Sequence, residues 1–167
     1  MKLIKPSKEY EQSWKDAIAE FEAEGIGGFW NLPKKPQDLY SYIRRIEDHA
    51  LGKNLPASLV PSTTYWLLDK GEFVGHVNIR HSYNEKLRDI GGLIGYAIRP
   101  SMRRKGYGTK ILELALTEIK KFGLQKILIT CDESNIGSQK VIEKNGGIYE
   151  NSLPSENGPK RRYWIEI

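Results

Sequence analysis

The apolar positions in the first fifty residues recur every three or four residues, which is the spacing of a helix with one buried face. The pattern predicts one helix that follows an N-cap at Ser7 and ends near Gly25. It predicts a second helix over residues 37–50, and a short strand at residues 3–5 before both helices. The apolar faces contain Tyr10, Trp14, Ile18 and Phe21 in the first helix, and Leu39, Tyr42, Ile43 and Ile46 in the second.

Beyond residue 62 the period changes, and strands become the main prediction. Strands are expected at residues 63–68, 73–80, 90–98, 126–131, 148–153 and 161–167, and helices at residues 108–122 and 135–145. The strand at 126–131 is apolar through its middle, which is typical of a strand buried on both faces. No repeat, low-complexity tract or linker divides the chain, so residues 1–167 are predicted to form a single mixed α/β domain.

Composition and charge narrow the class of protein. Of the 167 residues, 39% are hydrophobic and 28% charged, which suits one domain whose core needs neither disulfides nor metal. Cys131 is the only cysteine, the N-terminal residues lack the apolar core of a signal peptide, and a cytoplasmic location is expected. The net charge of +5 suits an anionic ligand or a plain solvated surface. Neither nucleic acid nor membrane is an expected partner, because no nucleic-acid-binding signature and no spanning apolar run occur.

A basic, glycine-bearing loop at residues 103–108 lies between the predicted strand 90–98 and the helix that follows it. Glycines let backbone N–H groups approach an anion closely, and the first turn of a helix adds unpaired N–H donors and the positive end of its dipole. The loop is therefore a candidate phosphate site. The residue order of a P-loop is absent, and Ile111 stands where a Rossmann fingerprint needs a third glycine.

The pattern Arg103-x-x-Gly106-x-Gly108 resembles the cofactor motif of the GCN5-related N-acetyltransferases, the GNAT family. Residues 94–100 resemble the fourth strand of that family, and residues 135–147 resemble its later Asn-x-x-Ser motif. The resemblance implies a GNAT-like α/β fold. Its central mixed, mostly antiparallel sheet would have about seven strands, splayed between the fourth and the fifth, and about four flanking helices.

The resemblance also implies acetyl-CoA as the cosubstrate, with no metal. The backbone N–H groups of residues 104–109 would hold its pyrophosphate, with added charge from Arg103 and Lys105. Backbone groups at Ile98 would pair with the amides of the pantetheine arm, and Asn135 would contact that arm, cap the following helix, or do both. The loop residues assigned in this way are Arg103, Arg104, Lys105, Gly106, Tyr107, Gly108 and Thr109.

Acetyl transfer needs a neutral amine, and removing the proton of a lysine-like amine at pH 7 costs about 4.6 kcal/mol. A base or a desolvating pocket is therefore expected. By the resemblance, the positions of a glutamate base and a tyrosine acid hold Gly92 and Ile142, which cannot transfer protons. The candidate catalytic groups are His81, whose usual pKa suits a base, and Asp89 and Asp132, which also suit a surface or capping role. No spacing of histidines and carboxylates indicates a metal site.

Together these features predict an acetyl-CoA-dependent N-acetyltransferase that acts on the primary amine of a small molecule or peptide, by direct attack on the thioester. The alternative is a catalytically weak acyl-CoA-binding regulatory or sensor module of the same fold. The chain is expected to be a monomer or a homodimer. Aromatic candidates for the acceptor site, which equally suit the core, are Phe29, Trp30, Tyr40, Tyr65, Trp66, Tyr163 and Trp164.

Overall fold

The computed structural model describes residues 1–25, 33 and 38–167 of the chain. The strands in this part are β1 (Lys2–Ile4), β2 (Ser62–Asp69), β3 (Glu72–Arg80), β4 (Ile94–Ile98), β5 (Lys126–Asp132), β6 (Ile148–Leu153) and β7 (Lys160–Glu166). The α-helices are α1 (Glu11–Ala23), α2 (Leu39–Ala50), α3 (Tyr107–Ile119) and α4 (Ile136–Lys144). Their order along the chain is the predicted one.

The strands form two antiparallel sheets rather than one continuous sheet. One sheet has the order β1-β2-β3-β4 and the other has the order β5-β7-β6. Between them, the N–H group of Leu93 donates to the carbonyl oxygen of Leu128 at 2.9 Å. Beyond this contact, the described residues of β4 and β5 form no ladder, so the sheet is divided where the splay was predicted.

The predicted strand at residues 90–98 is wrong in its first part, because Leu87–Gly91 forms a π-helical turn and β4 begins at Ile94. Gly92 follows this turn at φ 61° and ψ 179°, a conformation that is accessible essentially to glycine alone. Arg80 holds the turn by donating a hydrogen bond to the carbonyl oxygen of Gly92 at 3.2 Å. The turn and the glycine allow the chain to enter β4 beside Leu128.

Helix ends differ from prediction by a few residues, for reasons of capping. Ser7 caps a short 3₁₀ turn, Lys8–Tyr10, and α1 begins after that turn. Asp38 caps α2 by accepting a hydrogen bond from the N–H group of Ser41 at 2.9 Å, so the helix begins at Leu39, and residue 37 lies outside the described residues. The predicted helix 108–122 is α3 followed by a 3₁₀ turn.

Helices cover both faces of the first sheet. Trp66 and Leu67 are adjacent in β2, are fully buried, and belong to different core clusters. The cluster around Trp66 includes side chains from α1 and α2, whereas the cluster around Leu67 includes α3 and strands of both sheets. This packing holds α1 on one side of β4 and α3 on the other, so the end of β4 lies between them.

Candidate active site

A cavity of about 920 Å³ lies where β4 and β5 separate. Its walls come from the ends of these two strands, the glycine loop, α4, the first residue of β7 and one residue of α1. Eight of the sequence-predicted site residues line it, namely Ile98, Arg103, Arg104, Gly106, Gly108, Thr109, Asp132 and Asn135. A second cavity, of about 530 Å³, lies against α2, and its described lining contains one predicted residue, the acceptor candidate Tyr40.

The glycine loop opens α3 without a side-chain cap. Gly106 is the N-cap residue, at φ 85°, and no side chain accepts a hydrogen bond from the first turn of the helix. The N–H groups of that turn, which begins at Tyr107, therefore have no intrahelical partner. Gly106 and Gly108 line the cavity, so these donors and the positive end of the helix dipole are available to an anion there.

The charge of the cavity lining is strongly positive. One described carboxylate lines it, that of Asp132, and it pairs with Lys160. The cationic side chains in the lining are Arg103, Arg104, Lys140, Lys144 and Lys160. A polyanion such as a nucleotide pyrophosphate suits this arrangement better than a cationic or neutral ligand does.

Two hydroxyl groups meet inside the cavity. The hydroxyl of Tyr96 on β4 donates a hydrogen bond to Oγ of Ser138 on α4 over 3.4 Å, and both residues line the cavity. Burial raises the pKa of Tyr96 to about 12, so its phenol keeps its proton at neutral pH. Sequence reasoning did not propose either residue as catalytic, although Ser138 belongs to the Asn-x-x-Ser motif that it recognised.

Asp132 is the candidate base that the structure places in the cavity. His81 lies outside the lining, where its Nε2 bonds to Oγ1 of Thr63 at 2.9 Å and its ring stacks on Phe122. Partial burial, with a smaller contribution from Lys5, lowers the pKa of His81. Asp89 is exposed in the π-helical turn and also lies outside the lining.

The other assigned residues fall into two groups. Asn135 lines the cavity and also caps α4, because its Oδ1 accepts a hydrogen bond from the N–H group of Ser138 at 3.0 Å. The side chains of Lys105 and Tyr107 point elsewhere: Lys105 donates to the carbonyl oxygen of Ser101 at 3.0 Å, and the Tyr107 hydroxyl donates to Asp69 at 2.7 Å. Backbone contact with phosphate at these two positions stays a prediction.

The two residues that the resemblance assigns to the family's acid and base positions have structural roles. Ile142 is fully buried in the core. A Cβ at Gly92 would stand 2.8 Å from the carbonyl oxygen of Leu128, so no larger residue fits without movement. Burial raises the pKa of the Cys131 thiol to about 11, which disfavours a thiolate nucleophile.

Most of the aromatic acceptor candidates lie away from the cavity. Trp66 and Tyr163 are fully buried core residues, and Tyr40 is exposed on α2. Phe29 and Trp30 fall outside the described residues. Among the described residues, the aromatic ones that line the cavity are Phe21 and Tyr96.

The described part of the chain contains no group of three or more histidine, cysteine or acidic side chains that could hold a metal ion. Within the same residues, every helix is too short or too polar to cross a membrane.

Comparison with proteins of known structure confirms the fold. The chain superposes on the ribosomal L7/L12 alpha-N-protein acetyltransferase RimL in complex with coenzyme A, with a TM-score of 0.69, 16% identity, and coverage of 99% of this chain and 94% of that one. It superposes equally well on the microcin C7 self-immunity acetyltransferase MccE in complex with acetyl-CoA and AMP, with a TM-score of 0.70, 19% identity, and coverage of 99% and 91%. A spermidine N-acetyltransferase, SpeG from Vibrio cholerae, gives a TM-score of 0.67 at 16% identity, with coverage of 99% and 95%.

Sequence comparison identifies the family. An uncharacterized N-acetyltransferase of Bacillus subtilis (strain 168), YnaD, is 27% identical over 106 residues, and the match spans 60% of this chain and 60% of that protein. Residues 14–147 match the family model described as "Acetyltransferase (GNAT) family". This match covers most of the chain, including the glycine loop and the place where the two sheets meet. The chain therefore belongs to the GNAT family of acetyltransferases.

Proposed function

We propose that the protein is an acetyl-CoA-dependent N-acetyltransferase that acts on the primary amine of a small molecule or peptide. The observation that carries the proposal is the cationic cavity at the junction of the two sheets, with an uncapped helix start in its wall. The structures of RimL with coenzyme A and of MccE with acetyl-CoA support the choice of cofactor. A cytoplasmic location and a monomeric or dimeric state remain predictions.

The divided sheet supplies a binding edge for the pantetheine arm. β4 pairs with β3 along one edge, with Ile98 opposite Gly75, and its other edge faces the cavity. Peptide groups on a free strand edge bind extended amide chains as an added strand does. We therefore assign the backbone near Ile98 to the pantetheine amides, and the N–H groups of residues 104–109 to the pyrophosphate.

The reaction is a direct transfer. The amine nitrogen attacks the thioester carbonyl, the new C–N bond forms, the C–S bond breaks, and the amine loses one proton while the coenzyme A thiolate gains one. Ser138 is the proposed proton donor to the sulfur, because its oxygen accepts a hydrogen bond from Tyr96 and its own proton is free to point elsewhere. Asp132 is the proposed proton acceptor, as the carboxylate in the described lining.

A thiol-release assay over a panel of amines tests the function. The panel contains amino acids, polyamines, aminoglycosides and peptides with free N-termini, with acetyl-CoA as the donor. Amine-dependent release of thiol by at least one class is the expected result. Calorimetry with coenzyme A and with ATP is the companion measurement: binding of ATP without coenzyme A would contradict the proposal.

Binding of acetyl-CoA with no amine-dependent thiol release would favour the sensor alternative. That alternative is supported by the packing of Gly92 and Ile142, the two residues that the resemblance assigns to the family's base and acid positions. The panel therefore separates an enzyme from a binding module of the same fold.

A further inference from the structure

Arg103 lines the cavity, and its guanidinium group is held by partners outside the glycine loop. Its Nη1 donates to the carboxylate of Glu24, just beyond the end of α1, at 2.7 Å. Its Nε donates to the carbonyl oxygen of Ile98 at 3.2 Å. The Arg103 and Glu24 side chains are each 40% exposed, so water reaches this ion pair and it can exchange partners.

A second carboxylate, one turn earlier on α1, holds the neighbouring chain more firmly. Glu20 accepts hydrogen bonds from Nε of Arg99 at 2.7 Å and from both the N–H group and the hydroxyl of Ser101 at 3.0 Å. The Arg99 and Glu20 side chains are 14% and 27% exposed. Glu20 therefore fixes α1 to the turn before the loop, and the pair of Glu24 and Arg103 is the outer, weaker connection.

We propose that Glu24 competes with the pyrophosphate of acetyl-CoA for Arg103, so that cofactor binding transfers this arginine from the end of α1 to the phosphates. The proposal rests on the proposed function. A pyrophosphate carries more negative charge than one carboxylate and offers the planar guanidinium a bidentate partner. Before the cofactor binds, Glu24 thus pairs with the guanidinium group that a phosphate of the cofactor then takes over.

The same movement affects a second part of the site. When Arg103 turns to the phosphates, its Nε leaves the carbonyl oxygen of Ile98, which the pantetheine arm is proposed to use. One side-chain rotation therefore prepares both the pyrophosphate end and the pantetheine end of the cavity. Glu24 lowers the affinity for the cofactor without contacting it.

Calorimetric titration of coenzyme A into four variants tests the exchange. We expect Glu24→Gln to lower the Kd by about two- to fivefold at low salt, because an exposed ion pair no longer has to be broken. Arg103→Gln should weaken binding, and adding Glu24→Gln to it should have no further effect. Asp16→Asn removes the same charge from α1, where Asp16 contacts Gln12, and should leave the Kd unchanged.

Titration with dephospho-coenzyme A shows which phosphate group of the ligand Arg103 binds. It keeps the pyrophosphate and lacks the 3′-phosphate, so Glu24→Gln should improve its binding by the same factor. Circular dichroism and thermal unfolding of each variant confirm that it is folded.

Unchanged or weaker binding of coenzyme A to the Glu24→Gln variant would overturn the exchange, as would an equal gain in the Arg103→Gln background. Absence of coenzyme A binding by the wild-type protein would reject the proposed function, and the exchange with it. Normal binding that does not respond to Glu24→Gln rejects the exchange alone.

Discussion

Gly92 lies against the backbone of Leu128, so close that a Cβ at Gly92 would stand 2.8 Å from the Leu128 carbonyl oxygen. The next residue, Leu93, donates its N–H group to that same oxygen at 2.9 Å. This contact joins the two sheets at a position where any side chain would clash with the neighbouring backbone.

Substitution of Gly92 by alanine should destabilise the fold by about 2 kcal/mol or more, because it adds a steric clash to an unfavourable backbone conformation. Urea unfolding measures the change. Gly71→Ala is the matched control: Gly71 has φ 83°, but a Cβ there meets nothing within 4 Å. Equal destabilisation by the two substitutions would show that the contact with Leu128 costs nothing.

Substitution of Gly108 by valine should raise the KM for acetyl-CoA about tenfold or more. A Cβ added at Gly108 would lie 3.1 Å from Cγ2 of Val141. The branched valine side chain would also fill the space that a phosphate needs beside the start of the helix. Steady-state kinetics with varied acetyl-CoA give the KM, and Gly108→Ala should have a smaller effect. A folded Gly108→Val protein with unchanged kinetics would contradict the placement of the pyrophosphate.

Removal of the Ser138 hydroxyl should lower kcat by about a hundredfold or more, because a positioned proton donor typically contributes about 10²–10⁴-fold to the rate. Tyr96→Phe should lower kcat less, because it removes a group that acts through Ser138. In the double variant the two effects should not add, since the residues share one hydrogen bond. Calorimetry should give a coenzyme A Kd within about twofold of wild type for all three variants. Weaker coenzyme A binding with an unchanged kcat would instead show that the two residues contact the cofactor.

The stability of the protein should fall as the pH decreases from 6.5 towards 4. Burial lowers the pKa of His76 to about 4 from its usual 6.5, so the unfolded chain binds more protons than the folded one between these values. The contribution of His76 to the free energy of unfolding is fully present above pH 6.5 and is lost as the pH falls from 6.5 to about 4.

Urea unfolding at pH 7.5 and pH 5 measures this dependence. Partial burial also lowers the pKa values of His49 and His81, which contribute in the same direction. The informative quantity is therefore the difference between wild type and a His76→Gln variant, which should lose less stability on acidification. An equal loss in both proteins would mean that His76 takes up its proton without unfolding.

Much of the fold follows from the sequence because burial imposes a period on it. The helical spacing around Trp14 and the apolar run of residues 127–129 are the direct result of packing against a sheet, and the structure buries both as predicted. The glycine loop was recognisable because glycine has few substitutes at positive φ, as at Gly106. These features led to the fold and family that the comparisons confirm.

Other features depend on contacts between distant residues and leave no local pattern. Tyr96 and Ser138 are 42 residues apart, and Glu24 and Arg103 are 79 apart. Residues 90 and 91, the end of the π-helical turn, were predicted as strand because Ile90 and Leu93 have strand-like apolar character, while the conformation of Gly92 is invisible in a hydrophobic pattern. His81 was a reasonable base by pKa alone, and its position outside the cavity is a property of the sheet register.

The free edge of β4 has a consequence for how the protein behaves in solution. Unpaired peptide groups along a strand are a template on which another chain can assemble, and proteins usually protect such edges. Here the proposed ligand itself covers the edge. We therefore expect light scattering to show slower aggregation on storage when coenzyme A is present. The cosubstrate would then protect the protein from self-association in addition to its part in the reaction.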